Sequence, residues 1–226
     1  MLHFENVDVS IANVQILRNV TFTVNPAETV ALIGRNGAGK TTTLRSIMGF
    51  TQVSGVIRFS GHDLTKTAPA GRAGLGIGYA PEDRRLFSAF TVEENIVMPG
   101  QVARFSGPHM KERLDRVYEI LPELKDLANR PAGTVSGGQG KMVALGRALM
   151  IGSHLIMLDE PFQGLAPALA RRYADALGAL RDRDREVTLL ITESNPAFLR
   201  SLANRALVIE RGEVCEGSLA DGMEAA

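Results

Sequence analysis

The stretch from Gly34 to Thr42, GRNGAGKTT, constrains this 226-residue chain more than any other part of it. It fits the pattern G-x-x-x-x-G-K-[ST], with Gly34, Gly39, Lys40 and Thr41 in the required places. The run before it, TVALIG from Thr29, is β-rich, and the residues after it put Leu44, Ile47 and Met48 on one helical face. Strand, glycine loop and helix start in this order predict backbone N–H groups closing around phosphate oxygens, backed by the positive end of a helix dipole. Arg35, Asn36, Gly37 and Ala38 complete the loop, and Thr42 continues it into the helix. Lys40 is expected to reach β- and γ-phosphates, and the Thr41 hydroxyl to hold Mg²⁺. These residues predict a nucleoside triphosphate site.

Composition narrows the partners. Hydrophobic residues make up 45% of the chain, enough for a sizeable core. Lys+Arg and Asp+Glu are both 25, so no basic footprint for nucleic acid is expected. Cys215 is the single cysteine, which excludes an internal disulfide and fits a reducing compartment. MLHFENVDVS lacks the pattern of a signal peptide, and no apolar run approaches about 18 residues. Any membrane role is expected to run through partners.

In chain order, residues 2 to 24 read as strands with a break near Ala12-Asn13, and Asn25-Pro26 turns into the strand that feeds the loop. Ser54 to Leu64 predicts two short extended pieces about Ser60-Gly61, and Gly76 to Ala80 another buried strand. Thr91 and Glu94 form a capping box opening a helical block that runs to Leu149, with Pro99 to Pro108 as a loop or hinge. Strands follow at His154–Asp159, Val187–Thr192 and Ala206–Glu210, with helices at about Pro167–Arg181 and Asn195–Ala203. This alternation predicts an α/β fold with a parallel sheet and a helical insertion. His3, His62, His109 and His154 have no companions at metal-ligand spacing, and GSLADGMEAA at the end is too short and polar for a regulatory domain.

A carboxylate ending an apolar strand suits a phosphate-loop enzyme, and LIMLDE supplies two. Asp159 is expected to hold Mg²⁺, and Glu160 to polarise a water for in-line attack on the γ-phosphate. VSGGQGKMVALGRALM, from Val135 to Met150, places Ser136 and the Gly137 and Gly138 amides at a helix start, a second anion site.

That stretch resembles the LSGGQ signature of the ATP-binding cassette (ABC) superfamily, and the resemblance covers essentially the whole chain. It implies a P-loop NTPase fold with a RecA-like parallel-sheet core, an N-terminal antiparallel β subdomain and an inserted helical subdomain. Residues 1–84 and 151–226 would form the nucleotide-binding core, and about 85–150 the helical part. The cofactors implied are ATP and Mg²⁺. Val135, Ser136, Gly137, Gly138 and Gln139 would close over a partner's nucleotide, so a dimer is implied. Glu82 falls at the family's Q-loop position, with a Mg²⁺ contact, and Glu160 at its catalytic glutamate. PFQGLAP falls at the D-loop, and Ser194 at the switch position usually held by histidine.

GRNGAGKTTTLRSIMG, APEDRRLFSAFTVEENI and GLAP look most like LivF-type subunits of branched-chain amino acid importers and their relatives for urea or short amides. Such a subunit pairs with a LivG-type ATPase, two transmembrane permease subunits and a substrate-binding protein, at the cytoplasmic face of the plasma membrane. A homodimer is the alternative pairing. A soluble cassette or a lipid-exporter cassette is the alternative function. Arg84, Arg85 and Phe87 would help receive a membrane subunit's coupling helix. Ile11 stands where the family has an adenine-stacking aromatic, a loss of roughly 1 kcal/mol of stacking. Ser194 cannot carry the charge of an imidazole. Ala166 replaces a common D-loop aspartate. Together these departures lead us to expect two unequal sites.

Overall fold

The computed structural model describes residues 1–219. Most of the GSLADGMEAA tail lies outside the described residues. The chain opens with a hairpin of β1 (Leu2–Ile11) and β2 (Val14–Val24). Ala12 and Asn13 between them have φ of 48° and 65°, the left-handed pair that a two-residue turn requires. β3 (Thr29–Ile33) enters the glycine loop and α1 (Lys40–Met48) leaves it. β4 (Ser54–Phe59), β5 (His62–Asp63), α2 (Pro69–Ala73) and β6 (Ile77–Ala80) come next. Four helices follow without a strand: α3 (Val92–Val102), α4 (Gly107–Ile120), α5 (Glu123–Asp126) and α6 (Gly137–Ile151). β7 (Leu155–Asp159), α7 (Pro167–Arg183), β8 (Thr188–Glu193), β9 (Arg205–Glu210) and β10 (Glu213–Gly217) complete the described chain.

The strands form an antiparallel sheet, β2-β1-β4-β5, and a six-stranded sheet, β10-β9-β3-β8-β7-β6. In the second sheet only β9 and β10 run antiparallel; the other neighbours are parallel. Alternation along its strands divides two cores. Val30, Leu32, Leu155 and Met157 pack with Leu44 and Ile47 of α1 and with Phe4, Leu17 and Ile57 of the antiparallel sheet. Ala31, Ile33, Ile156 and Leu158 face the other way, among residues of α3, α4, α6 and α7. A parallel sheet covered on both faces explains why VALI and LIML read as unbroken apolar runs. Each fully buried Leu or Ile here is worth about 1.5–3 kcal/mol. The expected α/β phosphate-loop architecture is what the structure shows.

Two local expectations are corrected. Pro99 does not open a loop: α3 runs through it to Val102, and only residues 103–106 turn before Ser106 caps α4. Burial of Ile96 and Gly100 on that helix offsets the backbone bond that proline cannot make. Asn195–Ala203 is not a helix but a single 3₁₀ turn, Pro196–Phe198, then further turns. The Asn195 side chain accepts the Ala197 N–H, which favours a turn over a continuing helix. Cys215 lies exposed in β10.

α6 lies so close to β6 that a Cβ on Gly78 would stand 2.2 Å from the Ala148 carbonyl oxygen. That carbonyl and the Gly152 Cα at 3.0 Å are both backbone, so Gly78→Val should cost about 1–3 kcal/mol, read from the urea midpoint. Gly107→Ala, where an added Cβ meets nothing within 4 Å, should cost nothing.

Candidate functional site

The carboxyl ends of β3, β7 and β8 meet in register, with Ile33 beside Glu193 and Asp159 beside Thr192. The glycine loop starts from this edge. Gly34 N–H donates to the Glu193 carbonyl at 3.2 Å, and the Ala38 carbonyl accepts from Gly212 N–H at 3.1 Å. Gly39 has φ of 117°, a conformation that side chains rarely adopt, and it turns the chain straight into α1. The first turn of α1 holds no acidic residue and no side-chain cap, so its N–H groups and dipole are available to an anion.

Lys40 is buried and turned back beneath the loop. Its Nζ donates to the Gly34 carbonyl at 2.6 Å, the Arg35 carbonyl at 3.1 Å and the Ser194 Oγ at 3.0 Å. It also pairs with Glu160 Oε1 at 2.9 Å, with both side chains no more than 6% exposed. The Ser194 hydroxyl lies within donating distance of Glu160 Oε1 at 3.0 Å and Asn36 Oδ1 at 2.8 Å. Glu160 Oε2 is buried without a hydrogen-bond partner. That orphaned oxygen fits a site built to receive a polar species.

Asp159 is nearly fully buried. It accepts from Thr192 Oγ1 at 2.8 Å, Thr41 Oγ1 at 3.1 Å and Tyr79 OH at 3.1 Å. Burial pushes its carboxyl above the ordinary range, against the pull of these donors. Burial also raises the Tyr79 phenol, with the Asp159 charge adding to it. A hydroxyl and a carboxylate side by side form a hard oxygen donor set, the kind that suits Mg²⁺.

A cleft of about 310 Å³ lies over this arrangement, lined by Asn36, Gly37, Gly39, Lys40, Thr41, Thr42, Glu82 and Glu160 with Ile16 and Gln163. Gly34, Arg35, Ala38 and Ser194 line a second cleft on the loop's other side, beside Ile209. Ile11 lines neither: it stands 46% exposed at the hairpin tip, and Ile16 on the returning strand is the aliphatic residue beside the loop. Val135, Ser136, Gly137, Gly138 and Gln139 also stand outside both clefts. There Ser136 Oγ accepts Gln139 N–H at 3.2 Å and Gln139 Oε1 accepts Ser136 N–H at 2.9 Å, a capping box that opens α6.

Sequence reasoning missed Tyr79, Thr192 and Glu193. Thr192 was legible as a strand end; its contact with Asp159 depends on β8 lying next to β7. Glu193, 3% exposed, accepts the Phe162 N–H at 2.8 Å. Burial pushes its carboxyl from 4.5 up to about 7, with Glu160 adding to the rise and Lys141 opposing it. The native state thus favours the protonated form. Stability is fully present below about pH 4.5 and falls as pH rises toward about 7, by roughly 3 kcal/mol. Glu193→Gln keeps the acceptor and removes the charge. It should melt like the parent at about pH 5 and higher than the parent at about pH 8; parallel melting curves across that range would contradict this assignment.

Comparison with known proteins bears on the family and the fold. The family described as ABC transporter matches residues 17–163. The chain is 39% identical to the high-affinity branched-chain amino acid transport ATP-binding protein BraG of Pseudomonas aeruginosa, over 95% of this chain and 91% of that one. It is 33% identical to the probable branched-chain amino acid transport ATP-binding protein LivF of Archaeoglobus fulgidus, covering 95% and 90%. It is also 31% identical to the lipopolysaccharide export system ATP-binding protein LptB of Haemophilus influenzae, covering 95% and 88%. A crystal structure of the ADP conformation of an ATP-binding cassette of an ABC transporter superposes with a TM-score of 0.80 at 28% identity, covering 96% of this chain and 91% of the other. No helix among the described residues is long and apolar enough to cross a membrane. With family match, full-length relatives and fold in agreement, the chain belongs to the ABC transporter family, as a subunit whose ATP hydrolysis is coupled to transport.

Proposed function

We propose that this chain is a LivF-type motor subunit of an importer for branched-chain amino acids or related small amides. The carrying observation is its 39% identity to BraG over 95% of its length. It would act at the cytoplasmic face of the membrane with a second ATPase subunit, two permease subunits and, indirectly, a substrate-binding protein. The helices between β6 and β7 would form the helical part, about 85–150, set on a core of 1–84 and 151–226.

At its own site, Gly34–Thr42 would cradle the phosphates. Lys40, now spent on Glu160 and loop carbonyls, would transfer to the phosphate chain and free the Glu160 carboxylate to accept a proton from water. Thr41 and Asp159, with Glu82 at the cleft edge, would hold Mg²⁺, which supplies charge neutralisation at the phosphates. Ser194 would steady Glu160 by hydrogen bond without adding positive charge, and Ser136–Gln139 would complete the partner's site. Ile11 would cover the adenine side without stacking, and Ile16 would pack beside the loop. The 31% identity to LptB makes lipid export the second reading.

Glu160→Gln should retain ATP binding and lower turnover about 10²–10⁴-fold, the usual worth of a positioned base. Lys40→Ala should lose ATP binding as well. Equal losses from Glu160→Gln here and from the equivalent change in the partner ATPase would rule out unequal sites. For the substrate, the chain reconstituted with its permeases should hydrolyse ATP faster with leucine-loaded binding protein and not with lipopolysaccharide. The reverse response would establish the exporter reading.

A further inference from the structure

Glu160 is held in a conformation that its side chain does not favour. Its φ is 46°, in the left-handed region that costs a residue with a Cβ about 1–2 kcal/mol. Such a conformation persists only where the surroundings over-determine it. From the β8 side, Glu160 N–H donates to both the carbonyl and the Oγ1 of Thr192 at 3.1 Å, and the next turn is held by Glu193 through Phe162 N–H. On the other side stands Lys141. It follows the capped start of α6, on a helix whose neighbours Met142 to Leu145 are buried, and its Nζ donates to the Glu160 carbonyl at 2.5 Å. Among the described residues the other donor to that carbonyl, Gln163 N–H, is farther away at 3.3 Å.

Placing an ammonium in this half-buried position has an electrostatic cost. Burial lowers the Lys141 pKa, Glu193, Glu82 and Glu160 raise it, and Arg84 opposes them. Arg84 makes a parallel tie, donating from Nη1 to the Gly137 carbonyl at 3.0 Å. The first turns of α6 are therefore bonded by cations to the two segments that frame the cleft, the turn after β6 and the turn after β7.

We propose that Lys141 is a positioning residue for Glu160: by holding its carbonyl it fixes the strained turn that aims the carboxylate, and it couples the signature end of α6 to this chain's own hydrolytic site. This rests on the roles given above to Glu160 and Ser136–Gln139. Glu160's aim and the placement of Ser136 then become one mechanical variable. Displacement of α6 when a partner's nucleotide docks is felt at Glu160 through the Lys141 side chain.

The test is amide exchange of the full-length chain, read at Glu160 to Gln163, together with ATP turnover. In Lys141→Met, exchange in that segment should quicken about tenfold while the β7 core amides stay as they are. Turnover should fall about ten- to a hundredfold with the KM for ATP unchanged. Lys141→Arg, which keeps a cation of similar reach, should restore both. Lys141→Gln, a neutral donor, serves if the methionine variant does not fold, and should show the same two changes in weaker form. A folded neutral variant with unchanged exchange and turnover overturns the proposal, as does loss of turnover with no change in exchange. Glu160→Gln run alongside separates the two failures. If it spares turnover, the reading of Glu160 falls; if it stops turnover while Lys141→Met does nothing, only the role of Lys141 falls.

Discussion

The buried pair of Lys40 and Glu160 ties the structure together. A lysine on the first turn of α1 and a glutamate just past β7 meet at 2.9 Å only because β3, β8 and β7 lie side by side with their carboxyl ends level. Removing either partner would leave an uncompensated buried charge, at about 3–5 kcal/mol. The pair is also an unfinished one, since Glu160 Oε2 has no partner. On the proposed reading, a triphosphate that draws Lys40 away would release a carboxylate that already lines the cleft. Stability of the fold and the proposed chemistry would thus rest on the same contact.

Support for that edge comes from behind as well as from in front. Arg72, buried on α2, donates to the carbonyls of Ser46 and Ile47 at the far end of α1 and to those of Leu64 and Thr67. A cation there satisfies carbonyls that a helix end leaves unpaired and complements the dipole whose positive end faces the cleft. Burial lowers its pKa, yet it stays charged at any ordinary pH. The loop is therefore braced by β2 and the β9–β10 turn at one end of α1, and by an arginine clamp at the other.

What the sequence disclosed and what it hid divide along a physical line. The glycine loop, the LIMLDE strand end and the Thr91–Glu94 capping box are local patterns, in which residues a few positions apart determine backbone shape. Tyr79, Thr192, Glu193 and Lys141 act across the sheet, and nothing near them in sequence says which strand end or helix they will face. The position of Ile11 was hidden for the same reason. The two-residue turn at Ala12-Asn13 carries it to the hairpin tip, and the residue beside the loop comes from the returning strand. Pro99 and Asn195–Ala203 fail in opposite directions: burial keeps a helix through a proline, and an asparagine turn stops one where apolar spacing favoured it.

The glycines of the VSGGQ stretch carry two constraints at once, and this bears on how they are read. A Cβ on Gly138 would stand 2.0 Å from Leu169 Cδ2 and 3.3 Å from Leu165 Cδ2, side chains at the start of α7 in the same chain. A side chain there would have to displace the Leu169 methyl against which α6 packs, before any partner is considered. Gly137 is freer: its nearest contact for an added Cβ is the Arg84 guanidinium at 3.3 Å, the end of a flexible side chain. Substitution at Gly137 therefore reports mainly on what approaches the helix start from outside. Substitution at Gly138 mixes that with a rearrangement of the Leu169 side chain at the start of α7. On the proposed reading, α6 would transmit a partner's arrival with no large motion, because packing and hydrogen bonds already join it to the segment that follows β7.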